Sequence, residues 1–222
     1  MTGFPTSRAR ILLADDHRIF REGLKSLLLT CPEVGSVLEA ADGREAVRLA
    51  VAERPDLIVM DVSMPLLNGI EATRQILREL PESRVIALSM HTDRRFVTEA
   101  LRSGVMGYLL KDVAFEELHQ ALRAVLDHRP YLSGSITEMM VKVFLQRHPG
   151  DQASPVFDIL SSRERQVLQL LSEGKSTKEI AGVLEISVKT VETYRQQIMD
   201  KLNLYSIAEL TRFAIREGLT PL

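Results

Sequence analysis

The sequence predicts an α/β domain built on a parallel sheet, followed by a small all-helical domain. Three observations carry this reading. Residues 9–129 alternate short runs of Ile, Leu and Val with stretches of helical period. From residue 158 onward the runs stop and a Ser-x-x-Glu spacing repeats instead. Between the two lies a segment that holds Pro149, Gly150 and Pro155. The boundaries expected are 1–130 for the α/β domain, 131–157 for a linker with one helix, and 158–222 for the helical domain. A chain of 222 residues suits two domains.

Taken in order, the apolar runs 11–14, 37–40, 57–60, 85–88 and 108–110 read as five buried strands. The helical stretches 18–29, 44–53, 70–80, 94–102 and 116–127 lie between and after them, as right-handed crossovers require. Asp42 and Glu45 have the spacing of a capping box for the second of these helices. In the linker, 136–146 has apolar spacing suited to one helix, while 148–155 has the composition of a tether without fixed structure. Ser161 with Glu164, Ser176 with Glu179 and Ser206 with Glu209 then mark three helix starts, and Ser187 is the N-cap of a further helix ending near Leu202. Gly174 and Gly218 stand where helices end.

Composition excludes several classes. Hydrophobic residues are 45% and charged residues 26%, with a formal charge of −2, so bulk charge selects neither nucleic acid nor an anionic membrane. The single cysteine, Cys31, excludes an intramolecular disulfide and any multi-cysteine metal site. No apolar run reaches the roughly 18 residues that span a bilayer, and residues 1–10 lack the apolar core of a signal peptide, so a cytoplasmic protein is expected.

In a parallel sheet, function gathers at the carboxyl ends of the strands. Those ends bring together Asp15, Asp16, Asp61, Ser89 and Lys111. Three nearby carboxylates repel unless a cation sits among them, and a hard divalent ion such as Mg²⁺ is the natural occupant. A carboxylate left free beside such an ion and a lysine can attack phosphorus. The runs ILLADDH (11–17), DLIVMDVSMPLLNGIEA (56–72), VIALSMH (85–91) and GYLLKD (107–112) resemble, in that order, the receiver domain of bacterial response regulators of the NarL/FixJ type. The resemblance implies a flavodoxin-like, doubly wound, five-stranded domain. It implies Asp61 as phosphoacceptor, with Asp15, Asp16, Asp61 and the carbonyl of Ser63 around Mg²⁺. Lys111 and Ser89 would meet the phosphoryl group, and Tyr108 would be the aromatic that changes orientation with it. Asp112 stands where the wider family more often has proline. Helix capping alone would explain aspartates at strand ends, but neither the doubled aspartate nor the lysine.

The segment 176–202 has helix-turn-helix form. Ile180, Ala181 and Leu184 face inward on the first helix and Ile186 plugs the turn. Val191, Ile198 and Leu202, with Tyr194 or Arg195 between them, make the apolar seam of the second. Opposite that seam lie Lys189, Glu192, Thr193, Gln196 and Asp200, a polar face able to bond to base edges. Residues 155–222 carry nine Lys/Arg and nine Asp/Glu, but Lys175, Lys178, Lys189, Arg195 and Lys201 cluster around these two helices. Residues 160–204 resemble the LuxR-type helix-turn-helix. The resemblance implies a helix over 188–202 in the major groove, with Lys189 and Thr190 on the DNA backbone, Glu192, Thr193 and Gln196 nearest the bases, and Lys201 on phosphate. The final helix, 207–217, would form the contact of a homodimer.

The function expected is a two-component response regulator, not a turnover enzyme. A partner histidine kinase would phosphorylate Asp61 and thereby control binding to an operator in double-stranded DNA. The alternative is a phosphorylation-independent DNA-binding regulator whose receiver serves only for dimerisation. A phosphohydrolase using Asp61 is disfavoured because Ser63, not a second acid, stands two residues later. The tether suggests control by docking, the unphosphorylated receiver packing against or misplacing the helix Val188–Leu202.

Overall fold

A computed structural model describes residues 8–90, 92–145 and 159–220. The expected tether over 148–155 lies outside the described residues. The α/β domain runs β1 (Ala9–Ala14), α1 (Arg18–Thr30), β2 (Val34–Ala40), α2 (Gly43–Glu53), β3 (Leu57–Asp61), α3 (Gly69–Glu79), β4 (Arg84–Ser89), α4 (Arg94–Arg102), β5 (Gly107–Leu110) and α5 (Ala114–Leu126). Successive side chains of a strand point to opposite faces, and here both faces are covered. Leu12, Ala14, Ile58 and Met60 pack toward Ala46 and Ala50 of α2, Ile70 and Ile76 of α3 and Val97 of α4. Ile11, Leu13, Val59 and Leu88 pack toward Leu24 and Leu28 of α1 and Leu118, Leu122 and Val125 of α5. Each buried Leu, Ile, Val or Met among these contributes roughly 1.5–3 kcal/mol, and each alanine less.

The five expected strands are present, and a sixth is added. Tyr131–Leu132 forms β6, which pairs in parallel with β5 at Gly107 and Tyr108. Two residues following Pro130 carry no periodicity, which is why they read as linker. The Ser133 N–H donates to the Tyr108 carbonyl, and the Leu110 N–H to the buried Ser133 hydroxyl oxygen. Helix α6 (Gly134–Leu145) follows, with Ile136 buried in the same core as α4. The sheet order is β2-β1-β3-β4-β5-β6. The order reverses between β1 and β3, so the ends of these two strands open the crevice where ligands bind in doubly wound sheets.

The helical domain consists of α7 (Ser162–Ser172), α8 (Thr177–Leu184), α9 (Val188–Leu202) and α10 (Ile207–Arg216). Ser161, Ser176 and Ser206 each accept the N3 N–H while the matching glutamate accepts the N-cap N–H, so all three expected capping boxes form. At α2 the box is altered. Asp42 accepts from the N–H groups of Arg44 and Glu45, but the Glu45 carboxylate reaches one residue further back, to the Ala41 N–H. Val167, Leu168, Ile180, Leu184, Val191, Ile198 and Leu210 form the core of this domain.

The two domains meet along α7. Glu71, at the start of α3, is fully buried against Arg165, whose Nη2 lies 2.6 Å from Glu71 Oε1. The Ser162 hydroxyl donates to the other oxygen of Glu71. Behind this pair, Arg74 bridges Glu71 at 2.6 Å and the buried Glu99 at 2.8 Å. Leu66, in the β3–α3 loop, packs on the core of the helical domain. The backbone of Gly218 (φ +69°) lies against the Phe96 ring of α4 so closely that a Cβ there would meet ring atoms at 1.5 Å. Of the two modes expected, packing directly against Val188–Leu202 gives way to docking on α7, which is the mode that would misplace that helix rather than cover it. Lys189, Glu192, Thr193, Gln196 and Asp200 of α9 remain exposed. The physical reason is charge and hydrogen-bond matching, since α7 presents Arg165 and Gln169 to the acid and the backbone groups at the start of α3.

Candidate phosphoacceptor site and DNA-binding helix

Asp15 and Asp16 follow β1, Asp61 ends β3, Ser89 ends β4 and Lys111 follows β5. The parallel register places all of these strand ends on one edge of the sheet. Asp15 and Asp61 are buried, and Lys111 Nζ lies 2.7 Å from Oδ2 of each. The second oxygen of Asp15 accepts the His17 N–H at 2.8 Å, and that of Asp61 accepts the Ser63 N–H at 3.0 Å. These two contacts are what a capping role would supply, but α1 has no side-chain cap from its N-cap residue His17. Gly69 lies so close to the backbone of Asp61 that a Cβ there would stand 1.9 Å from the Asp61 carbonyl oxygen. Only glycine permits the β3–α3 loop to return so tightly onto the end of β3.

Burial pushes the Asp61 carboxyl up to about 6; Lys111 opposes the shift and Asp15 adds to it. Burial alone would lower Lys111, but Asp61 and Asp15 outweigh it and hold its ammonium above the usual lysine range. Burial likewise pushes Tyr108 up to about 12 against the effect of its hydrogen bond to the Ser89 side chain. Tyr108 is fully buried. Its ring is thus inward, and the hydroxyl of Ser89 already has a partner at this sheet edge.

The donor set fits a hard metal ion. Oxygens of Asp15, Asp16 and Asp61 and a nitrogen of His17 lie within 4.8 Å of one another. Oδ2 of Asp15 and Oδ1 of Asp16 are buried, and their near partners are the cationic Lys111 Nζ at 2.7 Å and the His17 Nδ1 at 2.8 Å. Three carboxylates converging this closely, with only one lysine among them, are suited to an oxygen-seeking divalent cation. Sequence reasoning missed Phe20, whose ring centroid lies 5.0 Å from Lys111 Nζ and which packs edge-on against Phe115. An aromatic at helical spacing reads as ordinary core.

In the helical domain, α8 and α9 are joined through Glu185 in the left-handed conformation, and Ile186 packs on the core as expected. Val191 and Ile198 are buried, and Tyr194 and Leu202 pack at the margin. On the exposed face, Gln196 Nε2 donates to Asp200, and the Thr193 hydroxyl donates to the Lys189 carbonyl. The Thr190 N–H is engaged by the Ser187 cap. Lys201 Nζ is 2.7 Å from the capping-box glutamate Glu164, a partner the sequence did not suggest.

Comparison with known proteins settles the class. Residues 11–123 match the family described as response regulator receiver domain, and residues 158–214 match bacterial regulatory proteins of the luxR family. This chain is a response regulator with a LuxR-type DNA-binding domain. The regulator is 37% identical over 214 residues to the oxygen regulatory protein NreC of Staphylococcus epidermidis, covering 95% of this chain and 98% of the relative. It is 34% identical over 224 residues to the transcriptional regulatory protein DegU of Brevibacillus brevis, covering 96% and 95%. Among solved structures it resembles that of an RcsB–DNA complex, with a TM-score of 0.59 and 25% identity over 93% of this chain and 98% of that one. The regulator belongs to a family of transcription regulators rather than enzymes. No helix among the described residues is long and apolar enough to cross a membrane.

Proposed function

We propose that Asp61 accepts a phosphoryl group from a partner histidine kinase in the cytoplasm, and that this event controls sequence-specific binding of the chain to DNA. The observation that carries the proposal is the pairing of Asp61 and Asp15 through Lys111, whose Nζ lies between them at 2.7 Å from each. Asp15, Asp16 and Asp61 would hold Mg²⁺ together with the Ser63 carbonyl. Bound there, the ion would offset charge on a phosphoryl group in transfer. Asp61 supplies the attacking oxygen, and Lys111 offsets negative charge on the phosphoryl oxygens. Ser89 donates its hydroxyl to the bound phosphoryl group, which requires it to leave Tyr108, and this exchange makes the pair a switch.

In the helical domain, α9 is the segment that enters the major groove. Glu192, Thr193 and Gln196 face base edges, Lys189 and Thr190 meet the backbone, and Lys201 meets phosphate after release from Glu164. The exposure of this polar face supports the assignment. Two chains pairing through α10 would meet a two-fold symmetric operator. RcsB is described in one solved structure as two dimers bound to two parallel DNAs.

Incubation with phosphoramidate and Mg²⁺, followed by intact mass, tests the acceptor. One phosphoryl group is expected on the wild-type chain, removable by hydroxylamine, and none on Asp61→Asn. Equal labelling of the two chains would reject Asp61.

A further inference from the structure

The helical domain reaches into the loop that carries the phosphoacceptor. Gln169 of α7 is fully buried, and its amide is saturated. Oε1 accepts the Asn68 N–H at 3.0 Å and the Asn68 side-chain amide at 3.2 Å. Nε2 donates to the Met64 carbonyl at 3.0 Å and to Glu173 at 2.9 Å. One residue further along the loop from Met64 and Pro65, the Leu66 N–H donates to Glu173, and Leu66 itself is held at φ +66°. A residue with a branched side chain holds that conformation only where its surroundings impose it. The loop is thus gripped at Met64, Leu66 and Asn68 by two side chains of the other domain.

Those grips lie within a few residues of the reacting group. The Ser63 N–H bonds to Asp61 Oδ1, the Gly69 N–H bonds to the Val62 carbonyl, and Gly69 rests on the Asp61 backbone. We propose that Gln169 and Glu173 are positioning residues for the phosphorylation of Asp61, restraining the β3–α3 loop so that the docked helical domain slows phosphoryl uptake. This rests on Asp61 being the acceptor. In the transfer, an Asp61 carboxylate oxygen forms a bond to phosphorus as the P–N bond of phosphoramidate, protonated on nitrogen, breaks and ammonia leaves. The product places three phosphoryl oxygens beside a loop that must shift to receive them. A loop held at Met64 O and Asn68 N resists that shift. By linkage, the factor by which docking disfavours the phosphorylated state is the factor by which phosphorylation disfavours docking.

The test uses the full chain, with phosphoramidate and Mg²⁺, and follows the phosphorylated fraction by intact mass at several donor concentrations. Gln169→Ala and Glu173→Ala should each raise the limiting rate by about fivefold or more, as release of a modest restraint on the barrier would. The half-saturating donor concentration should not move, because neither side chain borders the Asp61 carboxylate. Glu173→Gln keeps an acceptor for the Leu66 N–H and should behave as wild type. Glu173 caps the C-terminal end of α7, so its variants keep the test open where Gln169→Ala disturbs that helix. Labelling of wild type and both alanine variants at one rate, or slower labelling of the variants, overturns the inference and leaves Asp61 as acceptor. Failure of every chain, wild type included, to take the group overturns both.

Discussion

Asp61 is a carboxylate held where its charge is disfavoured, and the consequence is measurable without any ligand. Its folded value of about 6 lies above the value of an unfolded aspartate, so the folded chain keeps this proton longer than the unfolded one. The group therefore favours the fold below about pH 4, and that contribution is lost as pH rises from there through about 6. Asp61→Asn should remove this pH dependence and stabilise the metal-free chain at pH 7 by about 1–3 kcal/mol. Urea unfolding in a chelator checks it, and a less stable variant would show that the ion pair with Lys111 outweighs burial. Mg²⁺ should raise the melting temperature of the wild-type chain, and Asp16→Ala should largely abolish the rise. Asp15, Asp16, Asp61, Ser89 and Lys111 were legible because strand ends in a parallel sheet converge by geometry. Gln169 and Glu71 were not, because a polar residue on a helix has the same pattern whether water or another domain faces it.

Among the elements, the helices were readable to within a residue or two from their apolar period, and in the helical domain their starts are also chemically marked, since each Ser-x-x-Glu became a capping box. β6 escaped because its two residues take their structure from pairing with β5 rather than from any local pattern. The partner of Lys201 escaped for a similar reason, since Glu164 lies 37 positions away in the chain. This pairing sharpens what α9 should do on DNA. Gln196→Ala should change sequence preference, at about 1–3 kcal/mol for each lost base contact. Lys201→Ala should weaken all duplexes alike and reduce the salt slope by about one unit. Binding isotherms on matched and scrambled duplexes at several salt concentrations distinguish the two. Identical behaviour of both variants would mean that α9 lies in the groove in another orientation.

For the whole molecule, the sequence suggested that docking carries the signal, and the structure changes the surface that docks. Glu71, Arg165, Arg74 and Glu99 form a largely buried charge chain from α7 through α3 to α4. Removing one member leaves uncompensated charge, which costs roughly 3–5 kcal/mol where the site stays closed. The domains can avoid that cost by separating. Glu71→Ala should thus enlarge the radius of gyration of the full chain in small-angle scattering, and unchanged scattering would show that the apolar contacts at Leu66 and Phe96 suffice to hold the domains.

Docking on α7 leaves the polar face of α9 exposed, so control of DNA binding must act through the placement and pairing of the helical domains rather than by covering that face. The most direct measurement is the affinity of the full chain for a duplex enriched from random sequence by the phosphodonor-treated protein, read at one salt concentration with and without phosphoramidate and Mg²⁺. Treatment should tighten binding by about tenfold or more in the wild type, a shift of about 1.4 kcal/mol, and leave Asp61→Asn unchanged. Equal affinity of treated and untreated wild-type chains, with Asp61 shown by mass to be phosphorylated, would contradict phosphorylation as the control.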